Sequence, residues 1–289
     1  MRARSALFCL VVLGAVPRLA AGEGEEGKPA EEPKPAEEVV FSEVEIENFL
    51  NTFKISYNDP KQPEEDVSPV LENLKKAYKS LEAKGEAATK DEQKLLRKIV
   101  DMVAKGLKAR KRDLVVQECA KTLGDLGSKE GAKPLVAWLD KVVLDERTPS
   151  PVMVECGFRA LGQIGDEDPG TIELLIAYGT GKHADQTVAS EVLKQIVDWR
   201  HLSGKNRKDI FDRVLQFMNG AFADKKNRER YQRVKDTGLE ALTELAMGGV
   251  KFLDPSGVPD AVKWWSENKK GNWEDYVGKP YRPKAEGKP

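Results

Sequence analysis

The chain has 289 residues, 33% charged and 40% hydrophobic, with 47 Lys and Arg against 48 Asp and Glu. A formal net charge of −1 excludes the strongly basic balance of a general nucleic-acid binder. Three cysteines are too few for a small disulfide-stapled fold, so packed apolar faces must supply the stability.

The first 22 residues read as a secretory signal peptide. Arg2 and Arg4 give a basic start, Ala6 to Val16 form an eleven-residue apolar core, and Pro17 breaks it. Ala20 and Gly22 then supply the small residues of a cleavage site. The apolar run is too short to span a bilayer, which takes about 20 residues. Cys9 sits inside that run instead of just after the cleavage point, where a lipid anchor would need it. The expected protein is exported and soluble, periplasmic or extracellular, with no membrane anchor after cleavage.

Residues 23–38, EGEEGKPAEEPKPAEE, hold seven Glu against two Lys and no apolar side chain larger than Ala. Such a stretch buries too little surface to offset chain entropy, which predicts a disordered acidic leader. The remainder, 39–289, carries 42 basic and 41 acidic residues. The organisation read from these shifts is a signal peptide 1–22, a leader 23–38, a helical array 39–277 and a flexible tail 278–289.

Helical rhythm dominates the array. EIENFLNTFKISY puts Ile46, Phe49, Leu50 and Phe53 on one stripe. VSPVLENLKKAYKSL does the same with Val70 or Leu71, Leu74, Ala77 or Tyr78, and Leu81. A third helix opens after Thr89 with acids in its first turn and carries Leu95, Leu96, Ile99, Met102, Val103 and Leu107. It closes in KARKRD, cations suited to a helix C-terminus.

From there the chain repeats. CAKTLGDLG (119–127) superposes on GFRALGQIG (157–165), pairing Leu123 with Leu161, Gly124 with Gly162, Leu126 with Ile164 and Gly127 with Gly165. LKQIV (193–197) and LTELA (242–246) are weaker echoes that lack the glycines. Each copy precedes a second apolar helix: GAKPLVAWLDKVVL, GTIELLIAYG, KDIFDRVLQFMNGAF and GVPDAVKWWSEN. Two helices per unit of 30–50 residues is the mark of an α-solenoid. Gly157, Gly162 and Gly165 lack the spacing and the preceding strand of a dinucleotide loop, so they are expected where helices touch or end.

On these residues the chain resembles HEAT-type repeats of the short form called PBS-lyase HEAT-like. Residues 113–180 match the pattern A-x-x-x-L-G-x-x-G, a polar turn and a second helix with paired leucines. Residues 184–270 match in degenerate form, and VKWWSENKKGNW is similar to the closing segment of exported bacterial members. The resemblance implies an all-α, right-handed solenoid of about five helix pairs that binds another protein on a curved surface. It carries no catalytic residue onto any position.

Candidate sites are few. His183 and His201 are the only histidines, and neither stands at metal spacing with another His or Cys. Cys119 falls on an apolar helix face, and Cys119 and Cys156 come one position out of register in adjacent repeats, so both are expected unpaired. GDEDPG (165–170) reads as a solvated turn, without the ligand alternation of a calcium loop. KARKRD (108–113) and KKNRERYQRVK (225–235) are the best case for an anionic partner, but the second interleaves Glu229 with its cations. Trp264, Trp265, Trp273 and Tyr276 gather near the C-terminus. They read either as a ligand-binding cluster for glycan or peptide, or as a cap on the last repeat, and the cap is the stronger reading. The sequence therefore predicts a non-enzymatic, cofactor-free exported scaffold with a protein partner and no nucleic acid. An extracytoplasmic glycan- or peptide-binding module is the alternative.

Overall fold

A computed structural model describes residues 40–59, 61–109, 111–199, 202–223, 231–246, 251–252 and 257–276. The signal-peptide, leader and tail segments read from the sequence lie outside the described residues, and so does His201. The described residues form an all-α arrangement with no strand among them.

Among the described residues eleven α-helices follow in order. They are α1 (Glu43–Asn58), α2 (Val67–Glu82), α3 (Lys90–Gly106) and α4 (Asp113–Leu126), then α5 (Ala132–Trp138), α6 (Pro151–Ile164), α7 (Pro169–Gly179) and α8 (Gln186–Lys194). The last three are α9 (Gly204–Ala221), α10 (Lys235–Leu245) and α11 (Gly257–Asn268).

Local chemistry starts the first helices where the sequence places them. Ser42 and Glu45 close a capping box on α1, and Thr89 and Glu92 close another on α3. Each satisfies two N–H groups that a helix start leaves without partners. The buried stripe of α1 is Ile46, Leu50 and Phe53, with Phe49 half-buried beside it. In α3, Leu95, Ile99 and Val103 are buried, while Leu96 and Met102 pack at the margin.

One expected helix departs from the pattern. GAKPLVAWLDKVVL begins as α5 and widens into a π turn at Leu139–Val143. Leu139 is buried there against Gly157 of α6, where an added Cβ would lie 2.5 Å from its Cδ2 atom. Likewise α8 tightens into a 3-10 turn at Gln195–Trp199, which brings Trp199 onto α6.

The packing runs between near neighbours. Among α2, α4, α6, α8 and α10, each helix contacts the next, and the same holds among α5, α7, α9 and α11. Further contacts join α5 to α6, α7 to α8, and α9 to α10. One apolar core runs from Ile46 to Trp273.

The repeated glycines set these contacts. A Cβ on Gly124 would come within 2.8 Å of the Ala160 backbone on α6. One on Gly162 would lie 2.8 Å from Trp199 Nε1. The same position in the two repeats therefore lies against the next packed element, α6 in one case and the Gln195–Trp199 turn in the other. Gly127 and Gly165 end α4 and α6 at φ 68° and 69°, a left-handed conformation that favours glycine. The glycine-rich stretch is a packing device in this fold.

Candidate functional site

The aromatic residues singled out in the sequence meet in one place. Phe211 of α9 is buried at the centre, with its ring 5.2 Å from Trp264, 5.1 Å from Trp265 and 5.6 Å from Trp273. Trp264 and Trp265 are consecutive on α11, so their side chains leave the helix about 100° apart. Both nevertheless reach Phe211, Trp265 stacked on it and Trp264 tilted against it. After the turn at Lys269–Gly271, Trp273 enters a 3-10 turn (Trp273–Tyr276) and lies across both, at 5.9 Å from Trp264 and 5.7 Å from Trp265. Phe252 completes the group at 6.0 Å from Trp264.

These rings form a packed cluster. Trp273 stands 76° and 77° to the planes of Trp264 and Trp265, the edge-to-face arrangement that aromatic pairs favour. It is buried, and its Nε1 donates to the Asn268 carbonyl at 3.3 Å. Trp264 and Trp265 are half-buried and keep an edge toward solvent. The side chain of Tyr276 lies outside the described residues.

Under the cluster lies Arg207, only 1% exposed. Its Nη2 donates to the Trp273 carbonyl, and the guanidinium sits 5.9 Å from the Trp273 ring centre. Its Nε and Nη1 atoms are buried without a hydrogen-bond partner among the described residues. Burial lowers its pKa from the ordinary arginine value, and the Glu274 carboxylate opposes that shift. Glu274 in turn accepts from the Lys205 backbone N–H at 3.3 Å. At Gly204 a Cβ would lie 2.4 Å from the Trp273 carbonyl carbon, so the returning segment runs directly on the α9 N-terminus.

The other candidates serve the fold. His183 Nε2 donates to the Glu146 carbonyl at 2.9 Å, and its Nδ1 accepts from the Asp185 N–H at 2.9 Å. These two bonds pin a turn to the loop before α6. Asp168 caps α7 by accepting from the Gly170 N–H, while Asp166 accepts from the Thr171 hydroxyl at 2.6 Å. Glu167 reaches the next unit, taking the Ser203 N–H at 3.1 Å and the Asn206 side chain at 2.6 Å. The acidic turn is thus a clasp between repeats, which its sequence, read as a solvated loop, does not suggest.

One residue of the first basic run, Arg112, also turns inward while Lys108 and Lys111 stay exposed. Arg112 is buried and donates to the Ser56, Asp59 and Gln62 carbonyls, so it caps the C-terminus of α1. Most of the second run, 225–230, lies outside the described residues. Cys119 and Cys156 are free thiols, and burial raises the pKa of each. Neither has the lowered pKa of a reactive thiolate. Among the described residues no group of three or more His, Cys, Asp or Glu is placed to hold a metal, and no helix is long and apolar enough to cross a membrane.

Sequence reasoning named the tryptophans and missed the residues that assemble them. Arg207 and Phe211 stand four apart on the face of α9 that α11 covers. That spacing was the available signal. The chain matches no protein-family model, and no curated protein is significantly similar to it.

Proposed function

We propose that the chain is a non-catalytic, exported scaffold of the HEAT type, a right-handed solenoid of about five helix pairs that presents a curved helical face to another protein. The observation that supports this most is the recurrence of one packing geometry. Gly124 and Gly162, equivalent in adjacent repeats, each meet the next helix with no room for a Cβ. Stacking of that kind builds an extended surface from repeated units.

The polar groups with catalytic potential are occupied in holding these units together. Arg112, Glu167, Asp168 and His183 each bridge or cap backbone. Lys133, Glu173 and Arg213 lie exposed on α5, α7 and α9, and Arg213 reaches Glu173 at 3.4 Å. These second helices are where the partner docks in this reading. The test is recovery of a partner from the native host with the tagged protein. Recovery should be lost when Lys133 and Arg213 are changed to Glu. Unchanged recovery would move the binding face elsewhere.

A second reading rests on the solvent-facing edges of Trp264 and Trp265: a glycan or peptide module at the last helix. Titration of tryptophan fluorescence with oligosaccharides and peptides tests it, and no change at millimolar ligand would remove it. Export rests on residues 1–22. It predicts a mature N-terminus near Glu23, read by sequencing the protein recovered outside the cytoplasm.

A further inference from the structure

Helix α1 has two faces of different character. Ile46, Leu50, Phe53 and Ser56 are buried where it packs on α2 and α3. The opposite face presents Val44, Asn48, Asn51 and Ile55, all exposed. Val44 is 69% and Ile55 60% exposed, more than any other large hydrophobic side chain within the described helices. This stripe carries no charge, in a chain one-third charged. Its 4-3-4 spacing is the rhythm of a two-helix seam. Next to Ile55 a shallow depression of about 520 Å³ is lined by Asn51, Lys54, Ile55, Asn58 and Asp59.

We propose that this face binds the same face of a second copy, with the two α1 helices antiparallel about a two-fold axis. The stripe is self-complementary in that direction. Val44 and Ile55 lie equally far from the midpoint between Phe49 and Leu50, and so do Asn48 and Asn51. One register therefore sets Val44 against Ile55 of the second copy, beside its depression, and Asn48 against Asn51.

Charge selects the same direction. Lys54 is exposed and has no ion-pair partner among the described residues. Antiparallel pairing brings it within a turn of Glu47 of the second copy, twice by symmetry. Glu47 already accepts from Lys98 through Oε1, which leaves its other oxygen for this contact. A parallel pair would instead align the acids Glu43, Glu45 and Glu47 with themselves. The acidic stretch 23–38 is a poor occupant, because it shares the sign of that half of the helix.

Three helical turns bury less than the ~1,200 Å² of a standard interface, so the association is weak and visible only at high concentration. Sedimentation of the purified protein up to millimolar concentration should show reversible dimers. Val44→Glu with Ile55→Glu should weaken them by about tenfold or more, with helix content unchanged. Lys54→Glu should weaken them most at low salt. In a Cys156→Ser background, Val44→Cys with Ile55→Cys should form a covalent dimer on oxidation, and Val44→Cys alone should not. A monomer at all concentrations overturns the proposal, as does a dimer indifferent to the double Glu change. Cross-linking of Val44→Cys alone would show parallel pairing and overturn it too. Dimers seen only after removal of the residues before Val40 would assign the face to that segment instead.

Discussion

Among the described residues, the last helix, α11, is closed over and the first, α1, is left open. Trp264 and Trp265 turn onto Phe211, and Trp273 folds back across both with its own side chain buried. The outer residues of α11 are mostly polar, among them Asp260, Lys263, Ser266 and Glu267. On α1 nothing among the described residues folds back, and Val44 and Ile55 remain exposed. On the proposed solenoid reading, a last repeat has no neighbour for its apolar face, so a chain either covers that face with its own residues or leaves it for another molecule. The contrast teaches that the aromatic residues do structural work at one end, while an uncharged stripe with few apolar residues marks the sticky surface at the other.

Removing Trp273 should break the closed end first. It touches three aromatic rings and supplies the carbonyl that Arg207 binds. Trp273→Ala should cost about 3–5 kcal/mol, and deletion of 264–289 should cause aggregation or early melting with dye binding. Val44→Ala or Ile55→Ala on the open helix should stay within about 0.5 kcal/mol of the parent. Thermal melts of the four variants decide it. A deletion variant that stays monomeric, melts normally and loses only glycan or peptide binding would favour the ligand reading of the cluster over the cap.

The closed end can also be opened without touching a ring. A Cβ at Gly204 meets backbone atoms of Trp273 and Glu274 at 2.4 and 2.5 Å, and backbone cannot step aside as a side chain can. Gly204→Ala should therefore destabilise by about 1–3 kcal/mol, and raise exchange or protease cleavage near Trp273. Gly220, on the same helix, has nothing within 4 Å of its Cβ position. Gly220→Ala should stabilise by about 0.5–1 kcal/mol. Equal effects of the two changes would mean that helix propensity, and not the returning segment, governs α9.

Much of this was legible in the sequence where a residue's role follows from spacing. The stripes of α1 and α3, the caps at Thr89 and Glu92, and the paired Leu-Gly positions at 123–127 and 161–165 all stand where periodicity puts them. The gathering of Trp264, Trp265 and Trp273 was legible too, since they lie within ten residues. What spacing does not encode is the direction a long polar side chain takes. Arg112 sits in a run of cations that reads as the close of α3 or as a contact for an anionic partner, yet it turns in to cap α1, 50 or more residues back along the chain. Glu167 similarly reaches 36 residues ahead to Ser203. The identity of the neighbour decides such contacts, and the neighbour is set by the whole stack. The π turn at Leu139–Val143 was hidden for a related reason, because it answers the shape of Gly157 on another helix.

A smaller test concerns the residues ahead of α1. Residues 23–38 are expected to add nothing to the fold, so removing everything before Val39 should shift the melting temperature by only a few degrees. A large loss would mean that this segment covers α1, and the contrast between open and closed ends would vanish.

The smallest effect expected is a pH dependence at the capping box of α1. Glu45 accepts from the Ser42 hydroxyl and N–H at 2.7 and 2.8 Å, and these bonds hold its carboxyl below the ordinary value of 4.5. A group whose pKa is lowered by folding stabilises the fold above its unfolded pKa, and that contribution disappears as pH falls through the folded value. The α1 cap should thus be intact at neutral pH and fray below about pH 4.5. The aromatic cluster at the closed end holds itself by apolar contacts, and Arg207 beneath it does not titrate in that range. Amide exchange at Glu43 to Ile46 should therefore lose protection in acid before exchange at Phe211 does. Glu45 titrating at or above 4.5 by NMR, or protection at both ends falling together, would show that α1 draws no special support from its capping box.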